Sequence, residues 1–270
     1  MTDSNEKRRV FRELHASGCF VIPNPWDVGS ARLLAGLGFR ALATTSSGVA
    51  WSLGCTDNHV PFEQALDRIC DIAESVPIPV NADFEGGFAI DADGVYKNVA
   101  AAAETPIAGL SIEDSTGDTA NPLFDFPLAV DRIRAARRAI DETGSGVLLT
   151  GRSEGFIVGR PDLAETIRRL VAYAEAGADC LYAPGIRTTG DIAAVVNAVA
   201  PKPVNVLVGS DFTTVADLAR MGVRRISVGG ALARAAFGSL LDAAREIAEQ
   251  GTFTRLAAAI PFGDLEKLLG

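Results

Sequence analysis

The feature that most constrains the fold of this chain is an eightfold alternation. Short apolar runs, rich in β-branched or aromatic residues and bounded by turn residues, recur at 19–23, 41–45, 78–83, 109–113, 146–152, 179–184, 203–208 and 225–229. Runs of that length and composition read as strands. Helical patterns separate them, over 28–36, 62–75, 94–105, 128–143, 161–177, 190–199, 213–221 and 231–250. Pro61 precedes one of these helices, as suits a helix start. Gly177 follows RRLVAYAEA and Gly222 follows ADLARM, each a stop before the next strand. Nearly continuous apolar strands, each followed by a helix, imply a parallel sheet covered by helices. Eight such units in 270 residues predict an α/β chain closed into a (β/α)8 TIM barrel. An open doubly wound sheet would want a GxGxxG turn after its first strand, and that position reads NPWDVGS.

Two segments fall outside the repeat. Residues 4–17 read as an extra N-terminal helix crossing the bottom of the barrel. Residues 252–270 read as a short C-terminal helical tail whose apolar residues need a surface to cover. No linker, low-complexity stretch or composition shift divides the chain, so residues 1–270 read as one barrel domain.

The chain is 48% hydrophobic and 22% charged, which suits a packed globular protein. No run approaches the roughly 18–20 apolar residues that a membrane span needs, so no membrane role is expected. The N-terminal stretch lacks the apolar core of a signal peptide, and a cytoplasmic location is the expectation. A net charge of -9 without a basic block argues against nucleic acid as a partner. An acidic ligand remains compatible, provided a metal and a local arginine reverse the sign inside the pocket. Cys19, Cys55, Cys70 and Cys180 are scattered without a CxxC pair and read as reduced thiols.

In a barrel of this kind the site lies at the C-terminal ends of the strands. Asn81 and Asp83 are two apart and so share one face of their strand, with Glu113 at matching height on the next. Three oxygen-bearing side chains without a nearby lysine suit a hard cation, Mg²⁺ or Mn²⁺. For Asp114 and Glu154 a helix cap or a solvated loop is an equally good reading. Arg152 ends a strand otherwise made of small and apolar residues, and an arginine there calls for an acidic partner or an anion. It reads as a clamp on a substrate carboxylate or phosphonate, or as an ion pair with Glu113 or Glu154. The turn Thr45, Ser46, Ser47, Gly48 offers hydroxyls and N–H groups to a second carboxylate. His15 reads as structural, while His59, in the loop CTDNHVP, is a candidate acid or base.

In order, TTSSGVA, GCTD, VNADFEGGF, SIED, TGRSEGF, AGADCLYAPGI, PVNVLVG and RRISVGGALARAA resemble the strand tips of the isocitrate lyase/phosphoenolpyruvate mutase superfamily over roughly residues 8–250. The resemblance implies a Mg²⁺-dependent enzyme acting on small 2-oxo or 2-hydroxy di- or tricarboxylates, or on phosphonate analogues. It implies Asp83 as the direct metal ligand, with Asp57, Asn81 and Glu113 reaching the metal mostly through water. Thr45, Ser46, Ser47 and Gly48 then match the substrate-carboxylate loop, and Arg152 and Asn205 the anion-binding positions. The metal and Arg152 would stabilise an enolate-like intermediate as a C–C or P–C bond breaks, with Glu113 as a further catalytic group. The family's usual assembly implies a homotetramer, a dimer of helix-swapped dimers, which the 252–270 tail would serve.

The departures from the family pattern are specific. The first acid of the usual D-x-D pair is Asn81. The lyase loop with its catalytic cysteine is replaced by STGDTANPLFDF, and Gly185 stands where the lyases place a glutamate. Asn121 matches the mutase gate, but no lysine lies between Lys97 and Lys202. A divergent carbon–carbon lyase or decarboxylase is the leading expectation, with proton transfer through water, Tyr182 or Glu113. A P–C bond mutase or hydrolase, and a non-catalytic binder of metal and carboxylate, are the alternatives.

Overall fold

A computed structural model of the chain describes residues 3–269, so the outer ends of the 1–270 domain and of the 252–270 tail lie outside the described residues. Eight parallel strands, β1 (Phe20–Ile22), β2 (Leu42–Ala43), β3 (Val80–Asp83), β4 (Gly109–Glu113), β5 (Leu148–Arg152), β6 (Cys180–Tyr182), β7 (Val204–Leu207) and β8 (Arg225–Ser227), form one sheet. Each pairs with the next from β2 to β8, and β8 pairs with β1. The remaining seam, between β1 and β2, is bridged by Ala43 N–H donating to Pro23 O at 3.1 Å. The sheet is therefore a nearly closed (β/α)8 barrel, as the alternation predicts.

The surrounding helices are α2 (Val28–Gly36), α3 (Ser46–Ser52), α4 (Phe62–Ser75), α5 (Ala92–Ala103), α6 (Phe126–Thr143), α7 (Leu163–Glu175), α8 (Thr189–Val199), α9 (Val215–Arg220) and α10 (Ala231–Gln250). Where bounds differ from the periodic reading, a cap decides. Asp91 accepts from Gly94 N at 2.8 Å and opens α5 two residues early, and Asp162 accepts from Glu165 N at 3.0 Å and holds α7 back to Leu163. Residues 46–48, which read as a turn, instead begin α3, with Thr45 as its cap. Gly177 ends the α7 unit at φ +105°, where a Cβ would lie 2.5 Å from Arg137 Cγ.

The barrel bottom is closed by α1 (Ser4–Ala16), which buries Lys7, Arg8, Phe11, Leu14 and His15 on one face. Phe11 enters the barrel so closely that a Cβ on Gly109 would lie 2.6 Å from its ring, which fixes glycine there. Lys7 donates to Ala73 O and Val76 O at 2.7 Å each, near the end of α4. Arg8 donates to Ala103 O at 3.0 Å and Thr105 O at 2.8 Å, near the end of α5. Cations at helix C-termini complement the helix dipole, so the charged face of α1 is a plug rather than a solvated surface.

His15 is structural, as expected. Its Nδ1 meets Phe11 O at 2.8 Å, and burial, with Arg225 alongside, pushes its pKa down to about 3. The folded state thus refuses a proton that the unfolded chain takes near pH 6.5. Stability is full above pH 6.5 and is lost as pH falls from there toward 3. Urea unfolding should show about 2 kcal/mol lost between pH 7 and 5 through this group, a loss that His15→Gln flattens.

Beyond α10, a 3-10 turn (Thr254–Ala258) leads to α11 (Phe262–Leu269), whose Leu268 packs at Gly36 of α2. Leu240, Leu241, Ile247, Phe253, Leu256, Ile260 and Phe262 remain exposed along this arm. Among the described residues no helix is long and apolar enough to cross a membrane.

Candidate active site

The C-terminal strand ends surround a cavity of about 150 Å³. Of the residues singled out from sequence, Thr45, Ser46, Ser47, Asp57, Asn81, Asp83, Arg152 and Asn205 line it. Glu113 stands at its rim, facing an outer cavity of about 400 Å³ shared with Glu85, Asn58 and His59. Gly48 lies beneath the lining. A Cβ there would come 2.6 Å from Thr45 Cγ2 and 2.9 Å from Trp26 Cβ, so its role in the fold is close packing of α3.

Arg152 is the centre of the mouth. Its Nη1 lies 3.1 Å from Asp83 Oδ1 and 3.2 Å from Glu113 Oε2, and its Nε and Nη2 donate to the two oxygens of Glu154. Its guanidinium carbon sits 5.2 Å over the ring of Tyr182. Asp83 is held from the other side: Oδ2 accepts from Ser46 N at 3.0 Å, and its own N–H donates to Thr44 Oγ1 at 2.8 Å. The turn at the head of α3 therefore reaches the strand acids directly, at a helix N-terminus suited to negative charge. Thr45 and Ser47 share a hydroxyl contact of 3.1 Å.

Asp114 and Glu154 are not solvated loop residues, and neither caps a helix. Asp114 accepts from Tyr173 OH at 2.7 Å, Arg169 Nη1 at 3.1 Å and Glu154 N at 2.7 Å, which anchors the loop that carries Glu154 to α7. Both are buried. His59 is exposed, with its Nδ1 3.0 Å from Thr56 Oγ1 and 2.8 Å from Asp57 O, outside the inner cavity.

Asn81 and Asn205 lie one inward position below the tips. Asn81 Nδ2 donates to Ala82 O at 3.0 Å, while its buried Oδ1 has no partner among the described residues. Asn205 donates to Ser227 Oγ at 2.9 Å and accepts from Arg225 Nε at 2.9 Å. Glu85 and Arg225 were not singled out from sequence. Glu85 sits in VNADFEGGF two residues past Asp83, and parity would have placed it on the same face. The backbone leaves the strand there, with Glu85 at φ +48°, so strand counting stops short of it.

Electrostatically the mouth carries an excess of acid. Asp57, Asp83, Glu85, Glu113 and Glu154 face one guanidinium, Arg152. Burial, reinforced by neighbouring acids, raises the carboxyls of Asp57, Glu113 and Glu154 above the usual range and pushes Glu85 up to about 8. Burial also pushes Tyr182 up to about 12, so it keeps its proton. Among the described residues no three acidic side chains converge within ligating distance of one point, and the Arg152 guanidinium lies between Asp83 and Glu113. Oxygen donors, unneutralised acid and an unpartnered amide oxygen fit a hard divalent cation.

The phosphoenolpyruvate phosphomutase family pattern matches residues 11–248. An uncharacterized protein of Mycobacterium tuberculosis is 31% identical over 261 residues, 96% of this chain and 95% of the relative. An oxaloacetate decarboxylase of Pseudomonas aeruginosa is 28% identical over 90% of this chain and 85% of its own. Among solved structures, a Burkholderia cenocepacia protein provisionally assigned as a lyase/mutase superposes with a TM-score of 0.95 at 47% identity, covering 98% of this chain and 96% of that one. A phosphonopyruvate hydrolase bound to oxalate and Mg²⁺ superposes at 0.85 with 26% identity, covering 99% and 95%. A family pattern over residues 11–248 and 47% identity to a solved structure over 98% of the chain are kinship over the whole barrel, and the chain belongs to the phosphoenolpyruvate phosphomutase family of enzymes.

Proposed function

We propose that the protein is a Mg²⁺-dependent carbon–carbon lyase or decarboxylase acting on a small 2-oxo or 2-hydroxy di-acid. The observation that carries this reading is the ring of strand-end acids, Asp83, Glu113 and Glu154, gathered around the single guanidinium of Arg152. Asp83 would hold the cation directly, and Asp57, Asn81 and Glu113 through water; Mn²⁺ suits the same donors. When bound, the cation supplies Lewis-acid polarisation of the substrate's oxygen at carbon 2.

The chain's own residues supply the rest. Thr45, Ser46 and Ser47 present hydroxyls and N–H groups to the adjoining carboxylate, with Gly48, of the same substrate loop, packed beneath them. Arg152, with its planar fork, stabilises the charge of an enolate-like intermediate once its acidic partners are engaged elsewhere. Asn205 would orient the same anion from below. Tyr182, protonated and stacked against Arg152, is placed to hold or return a proton, and Glu113 at the rim can accept one. The likeness to an oxaloacetate decarboxylase supports the C–C reading, and that to a phosphonopyruvate hydrolase supports P–C cleavage as the alternative.

Association into a homotetramer of helix-swapped dimers belongs to the same reading, supported by the exposed apolar arm of α10 and the tail. The test is incubation with Mg²⁺ and oxaloacetate, alkylmalates, methylisocitrate or phosphonopyruvate. Pyruvate released from a di-acid is the expected result. Phosphate release would move the reading to the P–C alternative, and binding without turnover would reduce the protein to a metal and carboxylate binder.

A further inference from the structure

The interior of a (β/α)8 barrel is ordinarily filled by layers of branched aliphatic side chains. One inward position below the strand tips, this barrel instead carries Asn81, Ser111, Thr150, Asn205 and Arg225, all buried. Arg225 is 3% exposed. Its Nε donates to Asn205 Oδ1 at 2.9 Å, its Nη2 to Thr150 Oγ1 at 3.1 Å, and its Nη1 lies 3.4 Å from His15 Nε2. His15 is neutral: Nδ1 donates to Phe11 O, which leaves Nε2 to accept. Every partner of this guanidinium is therefore uncharged. Among the described residues no carboxylate forms an ion pair with it, whereas Arg152 above it has three.

A permanently charged group buried without a counterion is costly, and two of its five N–H donors are unused. The inner cavity reaches it, with Ser111, Asn205, Arg225 and Ser227 among the lining residues. The pocket thus has an acidic rim that calls for a cation and a cationic floor that calls for an anion.

We propose that Arg225 is the floor of the substrate pocket and receives the distal carboxylate of a short di-acid, with the Ser111 and Ser227 hydroxyls beside it. This deepens the function proposed above and rests on it for the orientation of the substrate's other end. The floor lies two residues below the rim, roughly 6.6 Å along a strand. The inner cavity measures about 150 Å³. That depth suits a compact di-acid standing upright in the barrel.

Malate and lactate share the 2-hydroxy acid head and differ in the distal carboxylate, so calorimetric titration of the full chain with both reads the floor. With Mg²⁺, the wild type is expected to bind malate at least 30-fold more tightly than lactate. R225Q should bring malate to the level of lactate and leave oxalate, too short to reach the floor, within threefold. N205D places a carboxylate against Arg225 with little change in shape. It should raise the melting temperature while lowering the malate preference at least tenfold, so a folding defect in R225Q does not decide the outcome. A melting temperature that rises in N205D with the preference intact, or a wild type that does not distinguish the two acids, overturns the proposal. Repeating the titrations in EDTA separates the two readings. Oxalate affinity that is the same with and without Mg²⁺ counts against the cation site, while the malate preference in EDTA still reports on Arg225.

Discussion

Asp83→Ala is expected to weaken Mn²⁺ binding at least 100-fold by electron paramagnetic resonance and to lower kcat/KM on the active di-acid about 10³-fold, the scale of losing a preorganised charge contact. The Asp83 carboxylate is held at the tip by Ser46 N–H and Arg152, and its backbone N–H by Thr44 Oγ1. The substitution should leave the fold intact, because Arg152 keeps Glu113 and Glu154 as partners. The far-ultraviolet circular dichroism spectrum is expected to be unchanged, and the melting temperature in EDTA to move by only a few degrees. Unchanged metal affinity in a folded Asp83→Ala protein would remove the basis of the proposed function.

Arg152→Gln carries two effects of opposite sign. Turnover is expected to fall about 10³-fold, since the group that faces the developing negative charge is gone. Divalent cation binding is expected to tighten, because Asp83, Glu113 and Glu154 lose the cation that neutralises them. Breaking a buried ion pair from one side costs about 3–5 kcal/mol. The metal-free variant should therefore melt well below the wild type, and Mg²⁺ should restore most of the difference. Arg152→Lys should recover some stability and little turnover, for a single ammonium cannot reproduce the planar fork that meets three carboxylates. A variant that loses activity and metal affinity together would mean that Arg152 supports the cation site rather than competing for it.

The barrel was legible because its evidence is local and repeated. Alternating apolar runs and helical patterns each state their own geometry, and eight of them leave few architectures. Asp83 and Glu113 were legible for the same reason, as acids at strand ends whose side chains obey the two-residue parity. Helix α3 was not, since seven residues rich in serine and glycine carry too little periodicity, and its existence depends on Thr45 capping and packing against Trp26. Asp114 read as solvent-facing or as a cap because nothing near it in sequence announces Arg169 or Tyr173 as partners, whereas the pairing of Glu154 with Arg152, two residues away, was among the readings.

Periodicity and motif order are properties of neighbours along the chain, so the repeat, the strand tips and the family they resemble are readable from residue order alone. How the charges divide is settled by the folded barrel. Arg152 and Arg225 look alike as arginines on barrel strands, yet one stands among three carboxylates and the other among neutral groups. That difference is set by which residues of neighbouring strands, of strands across the barrel and of α1 meet inside it. Coulomb energy depends on those distances and on burial, and neither is a property of spacing along the chain.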